Sequence, residues 1–126
     1  MILFYYGEDT WTLEREVKNL KAEFEKQHSR SGIEELTLQN QSDEELRSRL
    51  RELLESQGLF STRQLIILKN FLGEINKFPL AEEYLFKKLP TVGEMVEVVF
   101  LQEEDFDMRL KFYKALQKLA QTQEFT

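Results

Sequence analysis

The apolar positions of this chain change their spacing repeatedly, and each change marks a new element. Ile2-Leu3-Phe4-Tyr5-Tyr6 is apolar or aromatic at every position and closes on Gly7. A short run of this kind suits a strand buried on both faces of a parallel sheet. Leu13, Val17, Leu20 and Phe24 then fall at i, i+4, i+7 and i+11, one stripe of an amphipathic helix. Asp9 or Thr10 is placed to cap its start, and Ser29-Arg30-Ser31-Gly32 ends it. Ile33 to Leu38 reads as a second, weaker strand. Ser42 or Asp43 caps a second helix, which carries Leu46, Leu50, Leu53 and Leu54.

The clearest strand is Leu65-Ile66-Ile67-Leu68, apolar throughout and β-branched at its centre. A third helical region is predicted from about Glu74 to Leu89, with Pro79 near a helix start or a kink. Met95 to Leu101, rich in valine, is the next strand. Asp105 or Asp107 is expected to open a fourth helix with Phe106, Leu110, Tyr113, Leu116 and Ala120 on its inner face. A last short strand is predicted over Thr122 to Phe125. Strand and helix thus alternate four times before a closing strand. Such alternation predicts a three-layer α/β fold, a parallel sheet of about five strands between helices. The chain stops just after an apolar strand, as at a domain boundary.

Length and charge narrow the functions. At 126 residues the chain fits one compact domain. Its 17 Lys+Arg against 23 Asp+Glu give a net charge of -6, which argues against free-standing binding to nucleic acid or an anionic membrane. The absence of cysteine excludes disulfides, thiolate nucleophiles and Cys-ligated zinc, and permits a reducing cytoplasm. One histidine, His28, excludes multi-His metal sites. No apolar run approaches the length of about 20 residues that spans a bilayer, and the N-terminus lacks the marks of a signal peptide.

Candidate chemistry is sparse. Ligands of open α/β sheets sit at the carboxyl ends of the strands. The first strand–helix turn, Tyr6-Gly7-Glu8-Asp9-Thr10, has one glycine, no lysine and two carboxylates where a phosphate would sit. Asp9 reads as a helix cap before it reads as a functional acid. Glu103-Glu104-Asp105 could join Asp9 around Mg²⁺, but adjacency in sequence does not make carboxylates converge, so a solvated loop is the plainer reading. His28 reads as a helix-end cation, and no Gly-x-Ser-x-Gly elbow occurs. No catalytic residue, metal or cofactor is expected. Trp11 reads as packing against the sheet end rather than stacking on a ligand.

One stretch stands out, Ser56-Gln57-Gly58-Leu59-Phe60-Ser61-Thr62-Arg63. Two large adjacent apolar residues in a polar turn cannot both point into one sheet face. They either fold back as a core plug or protrude as a knob for a partner's pocket. Exposed apolar pairs are uncommon in monomers, which favours the plug.

Four stretches together change that balance. Leu3 to Leu13, Gly58 to Asn70, Val96 to Leu101, and Asp107 to Leu116 resemble, in order, segments of the N-terminal domain of the bacterial DNA polymerase III delta subunit. That family is the wrench of the sliding-clamp loader. The resemblance implies a single RecA-like AAA+ domain over residues 1–126, with a phosphate loop that has lost its function at Gly7, Glu8 and Asp9. It implies that Leu59 and Phe60 enter a hydrophobic pocket of the clamp and help open the ring, with Gly58 and Ser61 shaping the turn. The family's lid and collar domains are not matched here, so contacts with other loader subunits through them are not expected. A cytoplasmic, monomeric, non-enzymatic chain with neither DNA nor membrane contact is the expectation. Two other readings are an interaction module of flavodoxin-like topology using the same knob, and a nucleotide-binding enzyme domain. The second lacks both Gly-x-Gly-x-x-Gly and Gly-Lys-Ser/Thr.

Overall fold

The computed structural model describes residues 1–28, 30–55 and 63–126. Five strands form one sheet: β1 (Ile2–Tyr6), β2 (Ile33–Leu36), β3 (Gln64–Lys69), β4 (Val96–Gln102) and β5 (Gln121–Glu124). Four helices alternate with them: α1 (Thr10–Gln27), α2 (Asp43–Glu55), α3 (Pro79–Lys88) and α4 (Lys111–Leu119). The strand order is β2-β3-β4-β1-β5, and every pairing is parallel. Flavodoxin-like sheets run 2-1-3-4-5, so the flavodoxin-like topology is overturned.

This order dictates where the helices lie. The step from β1 to β2 crosses the sheet one way, while β2 to β3, β3 to β4 and β4 to β5 all return the other way. With right-handed crossovers, α1 must cover one face and α2, α3 and α4 the other. The packing agrees. Leu13, Val17 and Phe24 of α1 meet Leu3, Leu65, Ile67, Val99 and Leu101. The larger core joins Phe4, Ile66, Leu68, Val98 and Phe100 to Leu46, Leu50, Leu85 and Phe112 on the other side. Neighbouring strand residues point to opposite faces, and both faces are covered, so β3 and β4 are apolar almost throughout.

Local chemistry sets the helix ends. The Asp9 carboxylate accepts from the Thr12 amide at 3.1 Å and caps α1 as expected. Ser42 caps α2 through a reciprocal box, since its hydroxyl accepts from the Glu45 amide while Glu45 accepts from the Ser42 amide, each at 3.1 Å. Asp43, the other candidate there, serves a different helix. Its carboxylate accepts from the amides of Leu80 at 2.9 Å and Ala81 at 3.0 Å, so it caps α3 from α2. Pro79 stands at the first turn of α3, where its missing N–H costs nothing. The stretch from Glu74 begins instead as a single 3-10 turn, Ile75–Lys77.

Two expectations are corrected. Neither Asp105 nor Asp107 opens the fourth helix, which starts at Lys111. Asp107 accepts from the backbone amide and side chain of Arg109, closing a local turn that delays the helix. Phe106 and Leu110 still pack on the core from that preceding segment. The closing strand is likewise not apolar. β5 is exposed along its length and is held by backbone pairing to β1, with buried Phe125 just beyond it.

Candidate functional site

Loops from β1 and β4 leave toward opposite faces, so the crevice between the carboxyl ends of these neighbours is where a ligand would enter such a sheet. Gly7 turns there with φ 143°. The backbone of Phe125 lies directly on it, its amide donating to the Tyr6 carbonyl at 2.8 Å and its carbonyl accepting from the Asp9 amide at 3.0 Å. The Thr10 amide donates to the Glu8 carbonyl at 3.0 Å. Thr12 gives Asp9 a second bond, its hydroxyl donating to the carboxylate at 2.7 Å. These bonds from the Thr12 side chain and backbone hold the Asp9 carboxyl below its usual range. The amides of Asp9, Thr10 and Thr12, which would face a phosphate, therefore already have partners inside the chain.

Across the crevice, the loop after β4 is organised by Asn70, whose role no spacing in the sequence indicates. Asn70 adopts a left-handed conformation, φ 56°, directly after β3. Its side-chain oxygen accepts from the Glu103 amide at 2.8 Å and the Glu104 amide at 3.3 Å. Gln102, buried at the end of β4, accepts from the Leu72 amide at 3.1 Å and donates to the Glu104 carbonyl. Glu103 points toward α1 and meets the Lys69 ammonium at 3.3 Å. Burial, followed by a hydrogen bond shared with Glu14, pushes the Glu103 carboxyl up despite that lysine. The acidic run is thus spread over separate partners. Among the described residues no group of three or more acidic or histidine side chains is placed to hold a metal ion.

Tyr6, at the end of β1, stacks on Phe4 with ring centroids 4.9 Å apart. Burial first, then the Tyr113 hydroxyl and Glu124, push its phenol from 10.0 up to about 12. A folded-state value above the ordinary one favours the neutral phenol. Its contribution to stability is complete below about pH 10 and is lost as the pH rises toward about 12. Tyr5 and Tyr84 shift in the same direction. Urea midpoints measured across this window should fall for the natural chain. They should fall less steeply for Tyr6→Phe, which has no phenol to ionise.

The other candidate falls between α2 and β3 in the sequence. Glu55 ends α2 and Arg63 precedes β3, where its guanidinium donates to the Glu94 carbonyl at 3.1 Å. Between them, Gly58, Leu59, Phe60 and Ser61 lie outside the described residues. His28, at the end of α1, sets its ring against Phe24 at 4.9 Å. Trp11 corrects its expectation. It does not pack on the sheet end but stands 68% exposed on the first turn of α1, with the Arg15 guanidinium 5.0 Å from its ring.

The family model for DNA polymerase III, delta subunit, matches residues 3–126. The chain belongs to that family. Among solved structures, the Bacillus subtilis DNA clamp loader delta protein YqeN superposes with a TM-score of 0.69 at 19% identity, covering 98% of this chain and 38% of that one. A DNA polymerase III gamma subunit-related protein of Thermotoga maritima gives 0.61 at 14% identity, with coverage of 100% and 41%. This delta-family chain therefore spans well under half the length of either relative. No curated protein matches it in sequence. Likeness at these identities speaks to the fold, and the delta family supplies the wider context, a component of the clamp loader. Among the described residues no helix is long and apolar enough to cross a membrane.

Proposed function

We propose that this domain binds the DNA polymerase sliding clamp and helps open its ring, with Leu59 and Phe60 filling a hydrophobic pocket of the clamp. The observation that carries this reading is membership of the delta family over residues 3–126, which includes the Gly58-Leu59-Phe60-Ser61 stretch. Desolvating two such side chains contributes about 3–6 kcal/mol before association costs, enough for micromolar or tighter binding once neighbouring contacts are added. In this reading Gly58 and Ser61, on either side of the pair, support it. The domain acts without hydrolysing ATP. The internally bonded amides of the β1–α1 turn and the carboxylates of Glu8 and Asp9 support that part of the reading. Its place of work is the bacterial cytoplasm.

The test is a binding titration against the sliding clamp of the same organism. The natural chain should saturate, and Leu59→Ala with Phe60→Ala should weaken binding about a hundredfold or more. Circular dichroism of the double variant checks that it remains folded. Absence of saturable binding by the natural chain sinks the reading, while a double variant that unfolds assigns the pair to the core.

A further inference from the structure

We propose that the solvent face of α4 is a docking surface for the phosphate backbone of double-stranded nucleic acid, held by Lys111, Lys114 and Lys118 without regard to base sequence. The chain segregates its charge to make this face. Residues 108–123 carry Arg109 and these three lysines with no Asp or Glu, whereas the other 13 cations are interspersed with all 23 acids. A net charge of -6 argues against nucleic acid only where charge is spread evenly, and here it is not.

The helix aims the three lysines one way. At 3.6 residues per turn, Lys111, Lys114 and Lys118 fall within about 60° of one another and span about 10 Å of the axis. Phe112, Tyr113 and Leu116 take the opposite side and are buried, which turns the lysines outward, and all three are exposed. None of them is among the ion pairs of the described residues. Of the acids nearby, Asp107 is held by Arg109, and Glu124 shares a hydrogen bond with the Tyr6 phenol. Glu82 of α3 comes near Lys111 but forms no ion pair with it.

This arrangement works against the helix itself. Lys111 with Lys114, and Lys114 with Lys118, are like charges at i,i+3 and i,i+4, where they repel. Lys111 also stands in the first turn, at the positive end of the helix dipole, and that turn holds no acid to offset it. A charge pattern that costs the fold stability points to an anionic partner, whose binding relieves the repulsion. The stripe is lysine alone, without the arginine and aromatic side chains that protein interfaces favour, so phosphate suits it better than an acidic protein surface. It presents no ring on which bases could stack, which favours a duplex over a single strand. A duplex carries one charge per about 1.7 Å, so about six lie along the span of the stripe.

Anisotropy of a labelled mixed-sequence DNA duplex at low salt tests this. The natural chain should bind saturably, and log affinity should fall against log salt with a slope of about 2–3, as three phosphate contacts require. Lys114→Gln with Lys118→Gln should weaken binding about tenfold or more and cut that slope to about 1. Lys18→Gln with Lys26→Gln removes the same charge from exposed, unpaired positions on α1, and should leave affinity within about twofold. Losing repulsion should also raise the urea midpoint of the α4 variant slightly. The proposal is overturned if the natural chain does not bind the duplex, or if the α1 variant loses as much as the α4 variant. It is equally overturned if labelled polyglutamate or oligothymidylate binds as tightly as the duplex, or if the α4 variant is destabilised, which would make its lysines structural.

Discussion

Replacing Gly7 with alanine should cost the domain about 4 kcal/mol, a large part of the margin that keeps a domain of this size folded. A Cβ built on Gly7 would lie 2.0 Å from the Phe125 carbonyl oxygen and 2.7 Å from both its carbonyl carbon and its nitrogen. All three are backbone atoms, so no side chain can swing aside. The φ of 143° adds conformational strain for any residue with a side chain. The affordable response is for the end of β5 to lift away. That breaks the bonds from Phe125 to Tyr6 and from Asp9 to Phe125, at about 1 kcal/mol each. It also exposes the Phe125 ring, which packs edge-on against Tyr5 at 5.6 Å and contributes about 2 kcal/mol by burial. Urea denaturation should show this as a lower midpoint. Gly93→Ala is the control, because nothing lies within 4 Å of its added Cβ, and it should change stability by less than about 0.5 kcal/mol. Equal midpoints for the natural chain and Gly7→Ala would contradict the close approach.

Phe4→Ala should cost about 3–5 kcal/mol for a different reason, the loss of buried volume. Phe4 is fully buried in the inner strand β1. Its ring stacks on Tyr6 and meets Phe106 and Tyr113 edge-on at 6.1 and 6.0 Å. It ties the sheet both to α4 and to the irregular segment before α4, two parts that do not collapse easily into a cavity. Phe4→Leu, which keeps most of the volume, should lose a clearly smaller amount. If both variants melt alike, the aromatic cluster contributes no more than generic bulk.

Much of this fold was legible because the strongest strands are buried on both sides. Ile2 to Tyr6 and Leu65 to Leu68 leave no polar position to blur the pattern, and their bounds held to within a residue. The stripe of Leu46, Leu50, Leu53 and Leu54 was equally plain, and all four are buried. Where the reading slipped, competing local hydrogen bonds decided the outcome. Asp107 could have capped a helix, but Arg109 captured its carboxylate first. Asp43 looked like the cap of its own helix, and only the packing of α2 beside α3 brings Leu80 and Ala81 within its reach. Spacing along one chain cannot reveal a cap supplied from another helix. Trp11 was misjudged because its place off the apolar stripe fits either a ring folded inward or one left in water. An asparagine directly after a buried strand, as at Asn70, is the sequence signal for such a left-handed turn. The Leu59-Phe60 pair was noticed for its composition, but its meaning came from the family resemblance rather than from any spacing.

The strand order also has a consequence for how the polypeptide is made. β1 lies between β4 and β5, and its first partners are Val98 in one and Gln121 in the other. The first strand of this domain to leave a ribosome is therefore among the last of its strands to find its neighbours. At ~5–20 residues per second, a fully apolar strand waits roughly 5–20 s before β4 follows it out. During that interval β2 and β3 can pair with each other, while Ile2 to Tyr6 stays available to chaperones or to the same strand on a neighbouring nascent chain.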